Sequence, residues 1–402
     1  MGFSFETFAG AISNSGLISA GKFNGIGVFT GSVFGNPVAG GGIVNSGTIL
    51  ANTGISLFDV STFAGGVTNG GTISAARRGI AIGATSDGLV KGVPTFIGNI
   101  ANGGTITART GIGLNGSTIT GAIVDNGTIK ATSHGILIDS ASEILASKTA
   151  IAIAGPTFTG GITNFGVISG SAGIEIKTAR PVSIFDAGAI VGTGGTAIQF
   201  AGSGNTLTLG AGYVIGGIVD PSGKNILQLG GTGSGTFDLS SIGSSAQYRG
   251  FTTFNVVGGT WTVTSAGSAQ WTIRSGGTEE IASGGVLTST TVSSGGVLVV
   301  DSGATASSSF VKSGGTEIIE SGVGRARNRR AIVSGTIANS GTLIASGTGS
   351  LLLETISVPP LWTAVPIATP PDDTVSTPPP LIEAPMPVPP NRIFSASSGQ
   401  PS

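Results

Sequence analysis

Cysteine is absent from this 402-residue chain, histidine occurs once, and charged residues make up only 9% of it. Ordinary soluble domains carry about 25% charged residues, so the depletion is nearly threefold. Without cysteine there is no disulfide framework and no thiol nucleophile. Aromatic residues are few, at 6%. No run of about 18 apolar residues exists, which excludes a membrane-spanning helix. The net charge of −1 supplies no long-range field that would draw nucleic acid or an acidic membrane, and no nucleic-acid partner is expected. The opening residues Met1-Gly2-Phe3-Ser4-Phe5-Glu6 lack a basic and then apolar stretch, so no signal peptide is expected there.

What the chain has instead is 72 glycines and 39% hydrophobic residues, dominated by Ile, Val and Ala, with abundant Thr. Disordered chains lack such β-branched apolar residues, and collagen would need glycine at every third position. The order lies in repeats. A pattern T-F-x-G-x-I-x-N-x-G-x-I, with small shifts between copies, runs from Thr7-Phe8 through Asn14, Gly16 and Ile18. It returns from Thr62-Phe63 through Asn69, Gly71 and Ile73, from Thr95-Phe96 through Asn102, Gly104 and Ile106, and from Thr157-Phe158 through Asn164, Gly166 and Ile168. Looser copies carry Asn45, Asp125, Asp186 and Asn339 at the Asn position. Short alternating strands follow, such as Gly79-Ile80-Ala81-Ile82 and Gly135-Ile136-Leu137-Ile138.

A second series is tighter. Ser275-Gly276-Gly277, Ser294-Gly295-Gly296 and Ser313-Gly314-Gly315 are 19 residues apart, and Gly284, Gly303 and Gly322 repeat with the same period. Short strands in units of about 20 residues suit the coils of a solenoid, each pairing with the coils above and below. The expected fold is all-β, a right-handed parallel β-helix with Ile stacked along its axis. Gly and Asn are expected at corners that need left-handed backbone angles. Asn14, Asn45, Asn69, Asn102 and Asn164 either form a hydrogen-bonded ladder or each close their own turn. The expected divisions are 1–250 for the first repeat type, 251–274 as a junction, 275–332 for the 19-residue repeats and 333–355 for a last coil. Residues 356–402 hold 13 of the 18 prolines and read as a disordered, Pro-rich tail.

The series Ser275-Gly-Gly-Thr-Glu-Glu-Ile-Ala-Ser-Gly-Gly-Val followed by Thr291-Val-Ser-Ser-Gly-Gly-Val resembles the AIDA-type repeat of autotransporter adhesins. The upstream copies are similar to passages of large autotransporter passengers, as are Gly204-Asn-Thr-Leu-Thr-Leu-Gly-Ala-Gly and Gly259-Thr-Trp261-Thr-Val. The resemblance covers about residues 5–350. It implies a passenger carried across a Gram-negative outer membrane by a C-terminal β-barrel, then displayed on the surface or released. It also implies adhesion, autoaggregation, biofilm formation and virulence, with a host or abiotic surface, a matrix glycan or the protein itself as partner. Some such passengers are heptosylated on repeat serines, and the matching positions are Ser275, Ser283, Ser294 and Ser313. The barrel's ten-residue alternating strands are not found in the chain. A truncated fragment without independent function is therefore one reading.

Catalysis is tested against the same residues. Parallel β-helices also host glycan-active enzymes, which use clustered carboxylates on adjacent coils. The single His134 lies in a turn-like Ser133-His134-Gly135 stretch and reads as a solvated residue, so no Ser-His-Asp triad is assembled. Glu279-Glu280, Glu317 and Glu320 read either as a weak calcium patch or as an exposed face kept soluble by charge. No phosphate loop, cofactor motif or metal-ligand spacing is present. Arg325, Arg327, Arg329 and Arg330 form one basic cluster, readable as a processing site, a polyanion contact or a solvated loop. Trp261 and Trp271 are expected to fill the junction between repeat types. The expectation is a non-enzymatic adhesive rod, with a glycan-active enzyme as the alternative.

Overall fold

A computed structural model of the chain describes residues 5–36, 41–86, 89–321, 332–339, 341–347 and 352–357. The protein is a parallel β-solenoid: strands pair in parallel with their equivalents one coil away. A short antiparallel hairpin, Ala84–Ser86 with Leu89–Lys91, interrupts the pattern, and a 3₁₀ turn spans Leu239–Ser241. Two compact units are formed, residues 1–227 with 243–252 and residues 228–242 with 253 onward.

In the first unit the register brings equivalent apolar residues into columns. One column runs Ile12–Ile43–Val67–Ile100–Ile123–Ile151–Ile174–Ile198–Val219. From Ile43 onward its members are at most 1% exposed. Burying each such side chain contributes about 1.5–3 kcal/mol, which explains why the repeat tolerates only Ile or Val there. A second column is aromatic: Phe8, Phe34, Phe63 and Phe96 stack with ring centroids 4.9, 5.0 and 4.9 Å apart. That interval matches the spacing of paired strands, so each of these four coils adds one ring before Ile119 takes the position in the next.

The Asn residues form a ladder and close their own turns at the same time. Asn14 Nδ2 donates to Asn45 Oδ1, Asn45 to Asn69, Asn69 to Asn102, and Asn102 to Asp125 Oδ1, each at 2.7 Å. The same amide nitrogens donate to the carbonyls of Gly16, Gly47, Gly71 and Gly104 at 3.2–3.4 Å. Sequence offsets along this ladder are 31, 24, 33 and 23 residues. The first-unit coils are thus longer and less even than the 20 residues expected, and the longest step, of 33 residues, contains the hairpin. Replacing Asn69 with Leu keeps the branching at Cγ, in a somewhat larger side chain, but leaves the Asn45 amide and the Asn102 side-chain carbonyl without ladder partners. A loss of about 2–4 kcal/mol is expected in denaturant unfolding; a change under about 0.5 kcal/mol would show that the ladder adds nothing to stability.

Glycine at the N-x-G position has a different cause from the one expected. Neither these glycines nor the ladder asparagines adopt left-handed backbone angles. A Cβ on Gly47, Gly71, Gly104 or Gly127 would instead lie 2.1, 2.0, 2.0 or 2.2 Å from the carbonyl oxygen of the equivalent glycine one coil earlier. The side chain is excluded by the neighbouring backbone, not by the residue's own torsion angle. In the second unit the expectation holds: Gly276, Gly295 and Gly314 have φ of 84°, 73° and 78°, and Gly284 and Gly303 have 83° and 84°.

The second unit stacks its 19-residue coils through columns Ile273–Val292–Val311 and Val263–Ile281–Val300–Ile319. Trp261 and Trp271 are fully buried in it, filling the stretch before the 19-residue series as expected. The strand Leu352–Ser357 pairs with Ile332–Asn339, so Ile356 and Ser357 belong to a strand and not to the tail. The rest of the Pro-rich tail, residues 358–402, lies outside the described residues.

Candidate contact surface and its carboxyl groups

The chemistry-bearing groups fall on corners, on outward strand faces and, unexpectedly, in the core. Ser275, Ser294 and Ser313 stack on one corner of consecutive coils, all exposed, and Ser283 is exposed on another. Backbone bonds from Gly276 N to Gly295 O and from Gly295 N to Gly314 O hold the first column together, at 3.1 and 2.7 Å. A Cβ on Gly295 would lie 2.7 Å from Ser275 Oγ, and one on Gly314 would lie 2.5 Å from Ser294 Oγ. Glycine after Ser294 and Ser313 therefore leaves room for the hydroxyl of the coil before. Arg325, Arg327, Arg329 and Arg330 lie outside the described residues.

The acidic residues correct the sequence reading. Glu279 and Glu317 are not on an exposed face; both are fully buried. They share one inward column, Trp261–Glu279–Leu298–Glu317–Leu343, in which Leu298 separates the two carboxyls. Both oxygens of Glu279 and Oε2 of Glu317 have no hydrogen-bond partner, while Ser309 Oγ donates to Glu317 Oε1 at 3.2 Å. Burial pushes the Glu279 carboxyl up to about 8. It pushes Glu317 up to about 7, against the lowering effect of Ser309. Both groups are held protonated below neutral pH, because a lone ionised carboxylate in an apolar core is costly. Strand alternation was the signal available: Thr278-Glu279-Glu280-Ile281 puts Glu279 on the same face as Ile281.

Glu280 and Glu320 point outward, as expected of a charged face, and Asp301 joins them. The Asp301 carboxyl is raised to about 6, first by partial burial and then by Glu280 and Glu320. Three carboxyls thus meet across consecutive coils of the second unit. Among the described residues no group of His, Asp and Glu has the geometry to hold a metal ion.

In the first unit, buried Asp125 and Asp186 end the two stretches of Asn ladder. Their Oδ1 atoms accept from Asn102 and Asn164, whereas their Oδ2 atoms have no partner. A carboxylate only accepts, and the next register positions are the apolar Ile153 and Leu209. Burial raises both carboxyls, Asp186 to about 6, against the lowering effect of the Asn donors. His134 is half-buried on the strand Thr128–Ile138, not free in a turn. Burial and then Arg109 push its imidazole below the usual range.

Two open hollows lie on the surface of the described residues. One of ≈ 230 Å³ is lined by Glu175, Lys177 and Gln199 among others, and one of ≈ 370 Å³ by Thr68, Ile97 and Asn99 among others. Small-molecule sites are typically 300–1,000 Å³ and concave enough to bury most of a ligand. Comparison with protein-family models, with curated proteins and with solved structures gives no match.

Proposed function

We propose that the chain is a structural and adhesive solenoid of the autotransporter-passenger kind, presented at or released from a Gram-negative cell surface. The observation that carries this reading is the repetition of outward hydroxyls at one register position on successive coils. Thr48, Thr72, Thr105, Thr128 and Thr157 form such a column in the first unit. Thr260, Thr278, Thr316 and Thr342 form another in the second, interrupted by Val297. Many weak, equivalent contacts held on one scaffold bind an extended surface far more tightly than any contact alone. Beads coated with the full chain are expected to clump and to attach to glass or glycan-coated surfaces in flow. Attachment no greater than that of bare beads sinks the reading.

A second reading, a glycan-active enzyme, is favoured by one observation, the meeting of Glu280, Asp301 and Glu320 across coils. A carboxyl raised to about 6 beside two other carboxyl groups suits a general acid. Release of reducing ends from a panel of polysaccharides, lost on Asp301→Asn, would establish it.

A further inference from the structure

We propose that a basic corner of the first unit, formed by Arg77, Arg78, Arg109, Lys130 and His134, binds a linear acidic polysaccharide. The proposal deepens the adhesive reading and rests on it. Three consecutive coils bring these residues together. Ser74, Thr107 and Lys130 share one register position, and Arg78, Thr110 and His134 share the position just beyond. Between them the register slips, at Thr107/Thr110 against one neighbour and Ala108/Thr110 against the other. The slip bends the strands, and Arg77 and Arg109 lie at that bend with exposed side chains, as does Lys130 before it.

Arg78 is held in place. Its Nη1 donates to Asn115 Oδ1 at 2.9 Å, and its Cδ and Nε lie 3.7 Å from where a Cβ on Gly113 would be. The guanidinium therefore runs along the coil axis over a residue with no side chain. The neighbouring acid, Asp139, already accepts from Gly116 N at 3.1 Å and from Ser142 Oγ at 2.5 Å. Among the described residues, the ion pairs are Lys91–Asp59 and Lys177–Glu175, and none involves Arg77, Arg109 or Lys130. In a chain of net charge −1, four cations and an imidazole on three adjacent coils are a local concentration of charge that forms no ion pair among the described residues.

The charge and the spread of the corner over three coils select the ligand. A linear glycan with one carboxylate per sugar offers a row of acceptors to cations presented from adjacent coils, and an arginine fork binds a carboxylate bidentately. Single-stranded nucleic acid would need stacking platforms for its bases. Of the five corner residues only His134 carries an aromatic ring, and it is half-buried, so no row of stacking platforms is present among them.

The test is binding of the full chain to immobilised polygalacturonate, with neutral dextran as control, at low and high salt. The unaltered chain is expected to bind polygalacturonate, to lose it at high salt and to ignore dextran. The triple variant Arg77→Gln/Arg109→Gln/Lys130→Gln is expected to bind at least about tenfold more weakly, roughly 1.4 kcal/mol. Lys22→Gln/Lys224→Gln/Lys312→Gln removes as many exposed cations elsewhere and is expected to stay within about twofold. Unfolding midpoints of both variants, matched to the parent, would confirm that binding and not folding is read. Absence of polygalacturonate binding overturns the proposal, as do equal losses in the two variants. Equally tight, corner-dependent binding of single-stranded DNA overturns the assignment to glycan. If coated beads still attach while polygalacturonate is ignored, this inference fails and the adhesive reading stands. If beads fail to attach although polygalacturonate binds at the corner, the adhesive reading fails instead.

Discussion

Alkali is expected to unfold the second unit. In the unfolded chain Glu279 and Glu317 ionise near 4.5, whereas in the folded core they hold their protons to about 8 and about 7. A folded-state value above the unfolded one means that the folded form binds the proton more tightly. The stabilising difference is complete below pH 4.5 and falls by about 1.4 kcal/mol for each pH step while only the unfolded chain is ionised. It is lost as pH rises through 7 for Glu317 and through 8 for Glu279. The combined loss is on the order of 8 kcal/mol, comparable with the whole stability of a small domain. Trp261 and Trp271, both buried in this unit, report it by fluorescence in a Trp362→Phe background. Urea midpoints should decline between pH 5 and 8.5. Glu279→Leu/Glu317→Leu should flatten the profile and raise it at high pH, since Leu298 and Leu343 already fill the same column. A midpoint independent of pH would mean that the carboxyls are not in the core.

The second large effect concerns two adjacent glycines. Gly104→Ala would place a Cβ 2.0 Å from the Gly71 carbonyl oxygen, where backbone on both sides leaves nothing flexible to move. A loss of at least about 3 kcal/mol is expected, with hydrogen exchange accelerated in the flanking strands Thr72–Ile82 and Thr105–Leu114. Gly103→Ala is the control: its nearest neighbour, the Asn69 oxygen, is 4.0 Å away, and a change within about 0.5 kcal/mol is expected. Equal tolerance at both positions would refute the close approach of coils at the N-x-G corner.

These predictions mark where reading the chain stops. The Ile positions, the 19-residue period and the recurring Asn were legible because each repeats and repetition survives without coordinates. Asp125 and Asp186 were legible as members of the Asn column for the same reason. Their role as its ends was not, because it depends on Ile153 and Leu209 occupying the next coil. The basic corner was also hidden. Arg77, Arg109 and Lys130 are separated by 32 and 21 positions in the chain, and only parallel pairing makes them neighbours.

Glu279 shows the division most clearly. Local sequence determined that it lies on a strand and that its neighbours alternate, since β-branched residues and glycine corners leave no other periodicity. Charge alone argued for solvent, because a carboxylate prefers water by more than an alternation pattern can reveal. Tertiary structure decided otherwise. The stacking of Trp261 below and Leu298 above commits the whole face to the interior, and one residue cannot turn outward without shifting the register of its strand. What the sequence determined by itself was therefore the coil, through repeats that act over a few residues. What only the assembled solenoid decided was which distant residues share a column, because burial, exclusion of a Cβ and the meeting of charges are all properties of neighbouring coils.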